Sequence, residues 1–221
     1  MNLPELKIGK LVAQVPIIQG GMAIRLSTAP LAAAVANEGG IGLIAASGMG
    51  LDELRKEIRM ARELTGGKGI IGINAMVAAR QFLDLITTAA EEGIDLIVAG
   101  AGFSRDIFAV GKKYGVEVVP IVSSARLAQT AEKLGASAVV VEGTEAGGHL
   151  GTQQSIKEIL PEVIEAVNIP VIAAGGAVDG NDVADLLKLG ANGVQMGSRF
   201  AASEESNAAP ALKEFYLKMT Q

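Results

Sequence analysis

The chain has 221 residues, of which 49% are hydrophobic, and this composition excludes a disordered chain because it can bury a sizeable core. The net charge of −5, without a strong basic patch, argues against nucleic acid and anionic membranes as partners. Cysteine is absent and histidine occurs once, which argues against disulfides and against any metal site of the thiolate or histidine-rich type. Residues 1–10 lack a signal-peptide core, and no apolar run approaches the roughly 20 residues of a membrane span, so we expect a soluble, cytoplasmic protein.

Eight short apolar runs follow one another along the chain. Their continuous apolar character is typical of parallel strands that are buried on both faces. The predicted strands are residues 15–19, 41–45, 69–74, 95–99, 117–122, 138–142, 170–174 and 193–196. Segments with helical spacing lie between them, most clearly at 51–64, 125–134 and 182–189.

A weak internal repeat supports this count. Residues 134–139 (Leu-Gly-Ala-Ser-Ala-Val) match residues 189–194 (Leu-Gly-Ala-Asn-Gly-Val), and residues 92–97 have the same layout. The glycine of each can end a helix in the left-handed conformation before the next strand begins. Eight strand–helix units in a chain of this length predict one α/β domain over residues 1–221, a (β/α)8 TIM barrel, with an open doubly wound sheet as the alternative.

The last two predicted strands both end at glycine. Gly175 and Gly176 follow one strand, and Gly197 and Ser198 follow the other. The loops after strands seven and eight of such barrels commonly bind phosphate, because glycine lets an anion approach the backbone N–H groups. A helix that begins just beyond would add its own N–H groups and its dipole. Many barrels bind phosphate there without a flavin, so the glycines alone leave the ligand open.

The other predicted strand ends carry few charges and many small residues. Gly20, Gly21 and Met22 follow the first strand and would leave room for a flat ring, whose edges Gln19 and Asn74 could contact by hydrogen bonds. A phosphorylated, planar, largely uncharged cofactor fits these features, and flavin mononucleotide (FMN) is such a cofactor.

Five motifs resemble the 2-nitropropane dioxygenase family of FMN-dependent barrels, which includes nitronate monooxygenases and type II enoyl-acyl-carrier-protein reductases. They are residues 16–22 (Pro-Ile-Ile-Gln-Gly-Gly-Met), 72–74 (Gly-Ile-Asn), 142–151 (Glu-Gly-Thr-Glu-Ala-Gly-Gly-His-Leu-Gly), 171–177 (Val-Ile-Ala-Ala-Gly-Gly-Ala) and 193–200 (Gly-Val-Gln-Met-Gly-Ser-Arg-Phe). The resemblance implies that His149 is the active-site histidine. Together with the strand-end analysis it gives this predicted FMN site: Gly20, Gly21, Met22, Asn74, Gly147, Gly148, Gly175, Gly176, Gln195, Gly197 and Ser198.

The subfamily is ambiguous from the sequence. The best-known nitronate monooxygenases have a basic residue where Ser123 stands, and here both this position and the loop before His149 are closer to the enoyl reductases. Oxidation of nitronates by oxygen is the leading hypothesis. An NADH- or NADPH-dependent type II enoyl-acyl-carrier-protein reductase is the alternative, and a phosphate-binding barrel without redox activity is another. A small-molecule or acyl substrate is expected, and a homodimer is a candidate assembly.

Two expectations concern individual segments. Relatives in the family continue well beyond the last residue of this sequence, so we expect a substrate side that is more open than theirs. Residues 208–219 have helical spacing and are predicted to pack on the barrel as its last outer helix.

Glu142 and Glu145 are interpreted as a strand-end polar group and a solvated loop charge, and Asp179 as a helix cap.

Overall fold

In the computed structural model, which describes residues 3–148 and 151–219, a short antiparallel hairpin is followed by eight parallel strands. The strands are β1 (Leu6–Ile8), β2 (Leu11–Ala13), β3 (Ile17–Gln19), β4 (Ile41–Ala45), β5 (Ile70–Met76), β6 (Leu96–Gly100), β7 (Glu117–Val122), β8 (Val139–Glu142), β9 (Val171–Ala174) and β10 (Gly193–Met196). Strands β3 to β10 pair in sequence order, and β10 also pairs with β3, with Val194 opposite Ile17. This pairing closes the sheet, so the predicted barrel is confirmed and the open sheet is excluded.

Helices alternate with the barrel strands as predicted. They are α1 (Ala29–Asn37), α2 (Leu51–Leu64), α3 (Phe82–Glu91), α4 (Asp106–Tyr114), α5 (Ala125–Lys133), α6 (Ile156–Ala166), α7 (Gly180–Lys188), α8 (Ser198–Ala201) and α9 (Pro210–Lys218). The glycines of the internal repeat, Gly93, Gly135 and Gly190, have φ values of 77°, 96° and 106°, so each adopts the predicted left-handed conformation. None of the helices in the described ranges is long and apolar enough to cross a bilayer.

The hairpin of β1 and β2 fills the end of the barrel where the strands begin, and the sequence analysis missed it. Leu6, Ile8 and Ala13 are fully buried and belong to the same apolar cluster as Ile18 and Leu43 inside the barrel. Because this end is closed by apolar side chains, the opposite end, where the strands terminate, is the open end of the barrel.

Helix α9 does not pack as the predicted outer helix. None of its residues is buried, and Phe215 and Leu217 are 54% and 61% exposed. The cause lies in the preceding segment: the backbone N–H of Asn207 donates to Leu26 O at 3.3 Å, and its Nδ2 donates to Thr28 Oγ1 at 3.0 Å. These bonds hold the chain beside the β3–α1 loop, so α9 begins near the open end of the barrel instead of against its outer wall.

Candidate functional site

A cavity of about 540 Å³ lies at the carboxyl ends of the barrel strands, within the range of roughly 300–1,000 Å³ that is usual for small-molecule and cofactor sites. The structure brings every residue of the predicted FMN site to this cavity: Gly20, Gly21, Met22, Asn74, Gly147, Gly148, Gly175, Gly176, Gln195, Gly197 and Ser198. His149 lies outside the described residues. Its loop neighbours Gly147 and Gly148 line the cavity, so the loop that leads to His149 is placed at the mouth.

Among the glycines that line the cavity, Gly21 leaves the least room for a side chain, because it lies against Asn74. A Cβ atom on Gly21 would stand 2.2 Å from the Cβ atom of Asn74, a separation that real atoms do not adopt. Glycine at this position therefore lets the β3–α1 loop lie directly against the end of β5. The Asn74 side chain makes no hydrogen bond to the part of the chain that the structure describes, and its amide faces the cavity with its donors and acceptor available.

Gln195 presents an unpaired buried acceptor to the cavity. Its side chain is 8% exposed and lines the cavity, and its Oε1 is the one buried side-chain polar atom without a hydrogen-bond partner among the described residues. A buried acceptor that stays unpaired costs roughly 1–3 kcal/mol, so such groups are rarely left unsatisfied. The arrangement fits a bound molecule that brings an N–H or O–H donor, as a flavin ring or a ribityl chain would.

Gln19 does not contact the cavity, so the prediction that it would meet a ring edge is wrong. Its side chain is fully buried. Its Oε1 accepts from Leu43 N at 3.1 Å, and its Nε2 donates to Ser27 Oγ at 2.8 Å and to the carbonyl of Gly20. All the hydrogen bonds of the Gln19 amide thus go to β4 and to the loop that carries Gly20 and Gly21.

The glycine loop after β9 has the geometry that an anion site requires. Gly175 and Gly176 have φ values of 110° and 75°, and the backbone N–H of Gly176 has no acceptor in residues 3–148 or 151–219. A Cβ atom on Gly175 would lie 2.9 Å from Ala146 N, so this glycine also lets the histidine loop approach. The N–H of Ser198, the first residue of α8, has no intrahelical acceptor either.

The N-terminus of α7 offers fewer free N–H groups to the predicted phosphate site than the sequence indicated. Asp179 caps the helix as expected: its Oδ1 accepts from Asn181 N at 2.8 Å and from Asp182 N at 3.1 Å. These bonds hold the pKa of the Asp179 carboxyl below its ordinary value. Because the cap occupies the first N–H groups of α7, the loop glycines and the start of α8 remain as the donors for a phosphate.

The carboxyl group of Glu142 lies in a partly buried, unpaired position at the cavity, which the interpretation as a strand-end polar group did not include. It is the last residue of β8, it is half-buried, and it lines the cavity without a hydrogen-bond or ion-pair partner among the described residues. Burial of the carboxyl raises its pKa to about 7. A glutamate at the end of a barrel strand, in a mouth formed by small apolar residues, was the sequence signal for this site.

Glu145 is exposed, but it is not a free loop charge. Its Oε2 accepts from the backbone N–H of Ile156, the first residue of α6, at 2.9 Å. The N–H of Thr144 donates to Gln154 O at 2.9 Å in the same region. These two bonds attach the loop 143–148 to the start of α6 and thereby position the segment that leads to His149.

The β3–α1 loop is held over the other side of the cavity by an ion pair that the sequence did not predict. Arg25 Nε and Nη2 donate to Glu53 Oε1 and Oε2 at 2.6 and 2.9 Å. The hydrogen bonds to Glu53 raise the pKa of Arg25, and the same bonds lower the pKa of Glu53. The N–H of Met22 donates to Ser27 Oγ at 2.9 Å. Tyr216 of α9 completes the lining from above, a second contribution that the sequence analysis missed.

The chain is similar in sequence to proteins described as a dehydrogenase and as nitronate monooxygenases. The chain is 35% identical over 204 residues to a Rhodococcus jostii protein described as (3aS,4S,5R,7aS)-5-hydroxy-7a-methyl-1-oxo-octahydro-1H-indene-4-carboxyl-CoA dehydrogenase, and the match covers 92% of this chain. It is 34% identical over 244 residues to a probable nitronate monooxygenase of Staphylococcus aureus, covering 90% of this chain and 68% of that protein. The chain spans little more than half, 57%, of the length of the Rhodococcus protein.

Solved structures show the same barrel. FabK from Thermotoga maritima superposes with a TM-score of 0.87 at 41% identity, over 91% of this chain and 64% of that one. A nitroalkane oxidase from Streptomyces ansochromogenes superposes with a TM-score of 0.83 at 28% identity, over 91% of this chain and 70% of that one. The family model described as nitronate monooxygenase matches residues 5–220, and the chain therefore belongs to the nitronate monooxygenase family.

Proposed function

We propose that the chain is an FMN-dependent oxidoreductase that oxidises nitronates with oxygen at the open end of the barrel. The orphaned Oε1 of Gln195 carries this proposal, because it is a buried acceptor that an N–H or O–H donor of a bound cofactor would satisfy, inside the cavity that the predicted FMN site surrounds. Membership of the nitronate monooxygenase family supports the reaction type.

Each side of the cavity has a role toward the cofactor. The backbone of Gly175, Gly176, Gly197 and Ser198 would hold the phosphate, and Asn74 and Gln195 would pair with polar edges of the ring system. When bound, FMN supplies the electron-transfer chemistry, and the protein supplies binding and orientation. The loop from Gly20 to Met22 would shield one side of the ring, in a position that the Arg25–Glu53 ion pair maintains.

His149 is the proposed catalytic residue. Its ordinary pKa of about 6.5 suits transfer of a proton to or from the substrate near neutral pH. The loop 143–148 that leads to it is attached by Glu145 to the start of α6, and Gly147 and Gly148 at its end line the cavity.

Reduction of an acyl substrate with NADH or NADPH is the second candidate, and two observations favour it. Ser123 is a small, uncharged residue where the best-known nitronate monooxygenases have a basic one, and a Cβ atom on Gly151 would stand 2.7 Å from its Cβ and Oγ, so Gly151 lies directly against it. The Rhodococcus relative carries a carboxyl-CoA compound in its name. An acyl thioester is therefore the competing substrate class.

One experiment separates these functions. Purified protein that retains FMN is yellow, and colourless protein that cannot be reconstituted with FMN would support the phosphate-binding barrel without redox activity. Anaerobic mixing with a nitronate, NADH or NADPH is then followed by the flavin absorbance. Bleaching by the nitronate alone supports nitronate oxidation, whereas bleaching by a nicotinamide supports the reductase.

The His149→Ala variant tests the catalytic assignment in the same assay. It is expected to remain yellow and to lose roughly 10²–10⁴-fold in turnover, the usual contribution of a general acid or base. A turnover within about twofold of the parent protein would remove His149 from the proposed mechanism.

A further inference from the structure

The charged groups that the described residues place around the cavity are all negative. Among the described residues the lining contains two carboxyl groups, Glu142 and Glu145, and no lysine or arginine. A nitronate is an anion, and an anion that enters a poorly solvated mouth beside an ionised carboxylate is repelled. The lining therefore poses a specific problem for the substrate class of the proposed function.

The two carboxyl groups differ in what they already bind. Glu145 accepts the N–H of Ile156 and is exposed, so its charge is paired with the start of α6 and screened by water. Glu142 is half-buried at the end of β8 and has no partner in the described ranges. Of the two, Glu142 is the group whose charge acts on a molecule inside the cavity.

The elements around Glu142, within the described residues, offer its carboxylate no compensating cation. Strand β9, where Ala174 pairs with Glu142, has no titratable side chain, and the Glu117 of β7 lies at the opposite end of its strand, bonded to Ser137. Tyr216 is the titratable residue that α9 adds to the lining. The charged residues of α6 are exposed: Lys157, Glu158, Glu162 and Glu165. His149 lies outside the described residues, so it must be controlled for experimentally.

We propose that the protonation state of Glu142 determines whether the cavity binds an anion. A planar oxyanion such as a nitronate binds while the Glu142 carboxyl carries a proton and donates a hydrogen bond to it. A neutral molecule of the same shape binds in either protonation state. No bond is broken in this step, and the proton stays on the Glu142 carboxyl. Burial supports the role, because it raises the pKa of Glu142 to about 7 and so places the change of charge near neutral pH.

The inference rests on the proposed function only in taking a nitronate as the oxyanion. It can be tested by calorimetric titration of the protein as purified, with benzoate as a planar carboxylate probe and benzamide as its neutral counterpart. Benzoate keeps its charge throughout the range from about pH 5.5 to about pH 8.5, because a carboxylic acid titrates at about pH 4. This measurement requires neither turnover nor a flavin signal, so its failure would leave the proposed redox function intact.

The expected result is a dissociation constant for benzoate that rises by about tenfold for each pH unit above about pH 7, while that for benzamide stays constant. Glu142→Gln should bind benzoate tightly at every pH, because the amide donates a hydrogen bond without a charge. Glu145→Gln, the matched control, should retain the pH dependence of the parent.

His149→Gln decides between the two groups that could produce this profile, because a histidine also loses a positive charge near neutral pH. The proposal requires that this variant keep the pH dependence. It is overturned if His149→Gln abolishes the dependence or Glu142→Gln keeps it. It is also overturned if benzoate binds the parent equally well at all pH values, or if benzamide binds and benzoate does not bind even at about pH 6.

Discussion

Gly21 and Asn74 lie so close together that a single methyl group on Gly21 would overlap the Asn74 side chain, at 2.2 Å from its Cβ and 3.0 Å from its Cγ. The β3–α1 loop and the end of β5, which are distant in sequence, thus meet at the candidate ring site. Because Gly21 has no side chain, the Asn74 side chain can occupy its position beside the cavity, and the geometry of the site depends on this contact.

Gly21→Ala is therefore expected to displace Asn74 and to weaken FMN binding by at least about tenfold, the equivalent of one lost hydrogen bond of about 1.4 kcal/mol. Quenching of flavin fluorescence on titration measures the affinity. Gly50→Ala is the matched control, because a Cβ atom there meets nothing within 4 Å, and it should bind FMN like the parent. Equal affinities of the two variants would contradict the role of the Gly21–Asn74 contact.

Gly197→Val tests the proposed phosphate site. The φ of Gly197 is −112°, which other residues also adopt, and the atoms nearest to an added Cβ are in Met22 at 3.9 Å. The protein should therefore fold, while the branched side chain occupies the space of the phosphate and abolishes retention of FMN. Gly180→Val, at an exposed glycine with nothing within 4 Å, should remain yellow. Normal FMN content in Gly197→Val would place the phosphate elsewhere.

Glu142 gives a prediction about stability and pH in protein freed of bound ligand. Its pKa is raised from 4.5 to about 7 in the folded state, so between these values the folded protein retains a proton that the unfolded chain has lost. The contribution of Glu142 to stability is thus fully present below about pH 4.5, falls as the pH rises to about 7, and stays lost above it.

Glu142→Gln should therefore be more stable than the parent at pH 8 by roughly 1–3 kcal/mol, with a much smaller difference near pH 5. Urea unfolding at both pH values gives the two free energies of unfolding. A difference that is the same at pH 5 and at pH 8 would show that the Glu142 carboxyl is ionised normally in the folded protein.

Tyr216 is the aromatic side chain that α9 places at the mouth, whereas its neighbours Phe215 and Met219 are exposed. Tyr216→Ala should raise the dissociation constant of FMN several-fold, because an aromatic contact is worth roughly 0.5–1.5 kcal/mol beyond its buried area. Met219→Ala removes an exposed apolar side chain at the residue directly after the same helix and should leave the affinity unchanged. Equal losses in both variants would indicate that α9 acts as a whole and that Tyr216 has no particular role.

Much of this protein follows from local sequence patterns. The eight buried strands, the three clearest helices and the glycines at helix ends were predictable because apolar runs and left-handed glycines act over a few residues. The order of the strands then places the glycine-rich strand ends at one end of a barrel, so the residues around the cavity could be predicted as well.

The tertiary structure decided what individual polar residues do. Gln19 and Gln195 both stand near the ends of barrel strands, yet the amide of Gln19 is satisfied by Leu43 and Ser27 while Gln195 Oε1 is left without a partner. The same holds for the two glutamates: Glu145 binds the start of α6, and Glu142 is left unpaired beside the cavity. The sequence by itself determined where these residues lie, because strand and helix patterns are local. Only the folded chain decided which of them remain available, because hydrogen-bond partners and burial depend on segments that are distant in sequence.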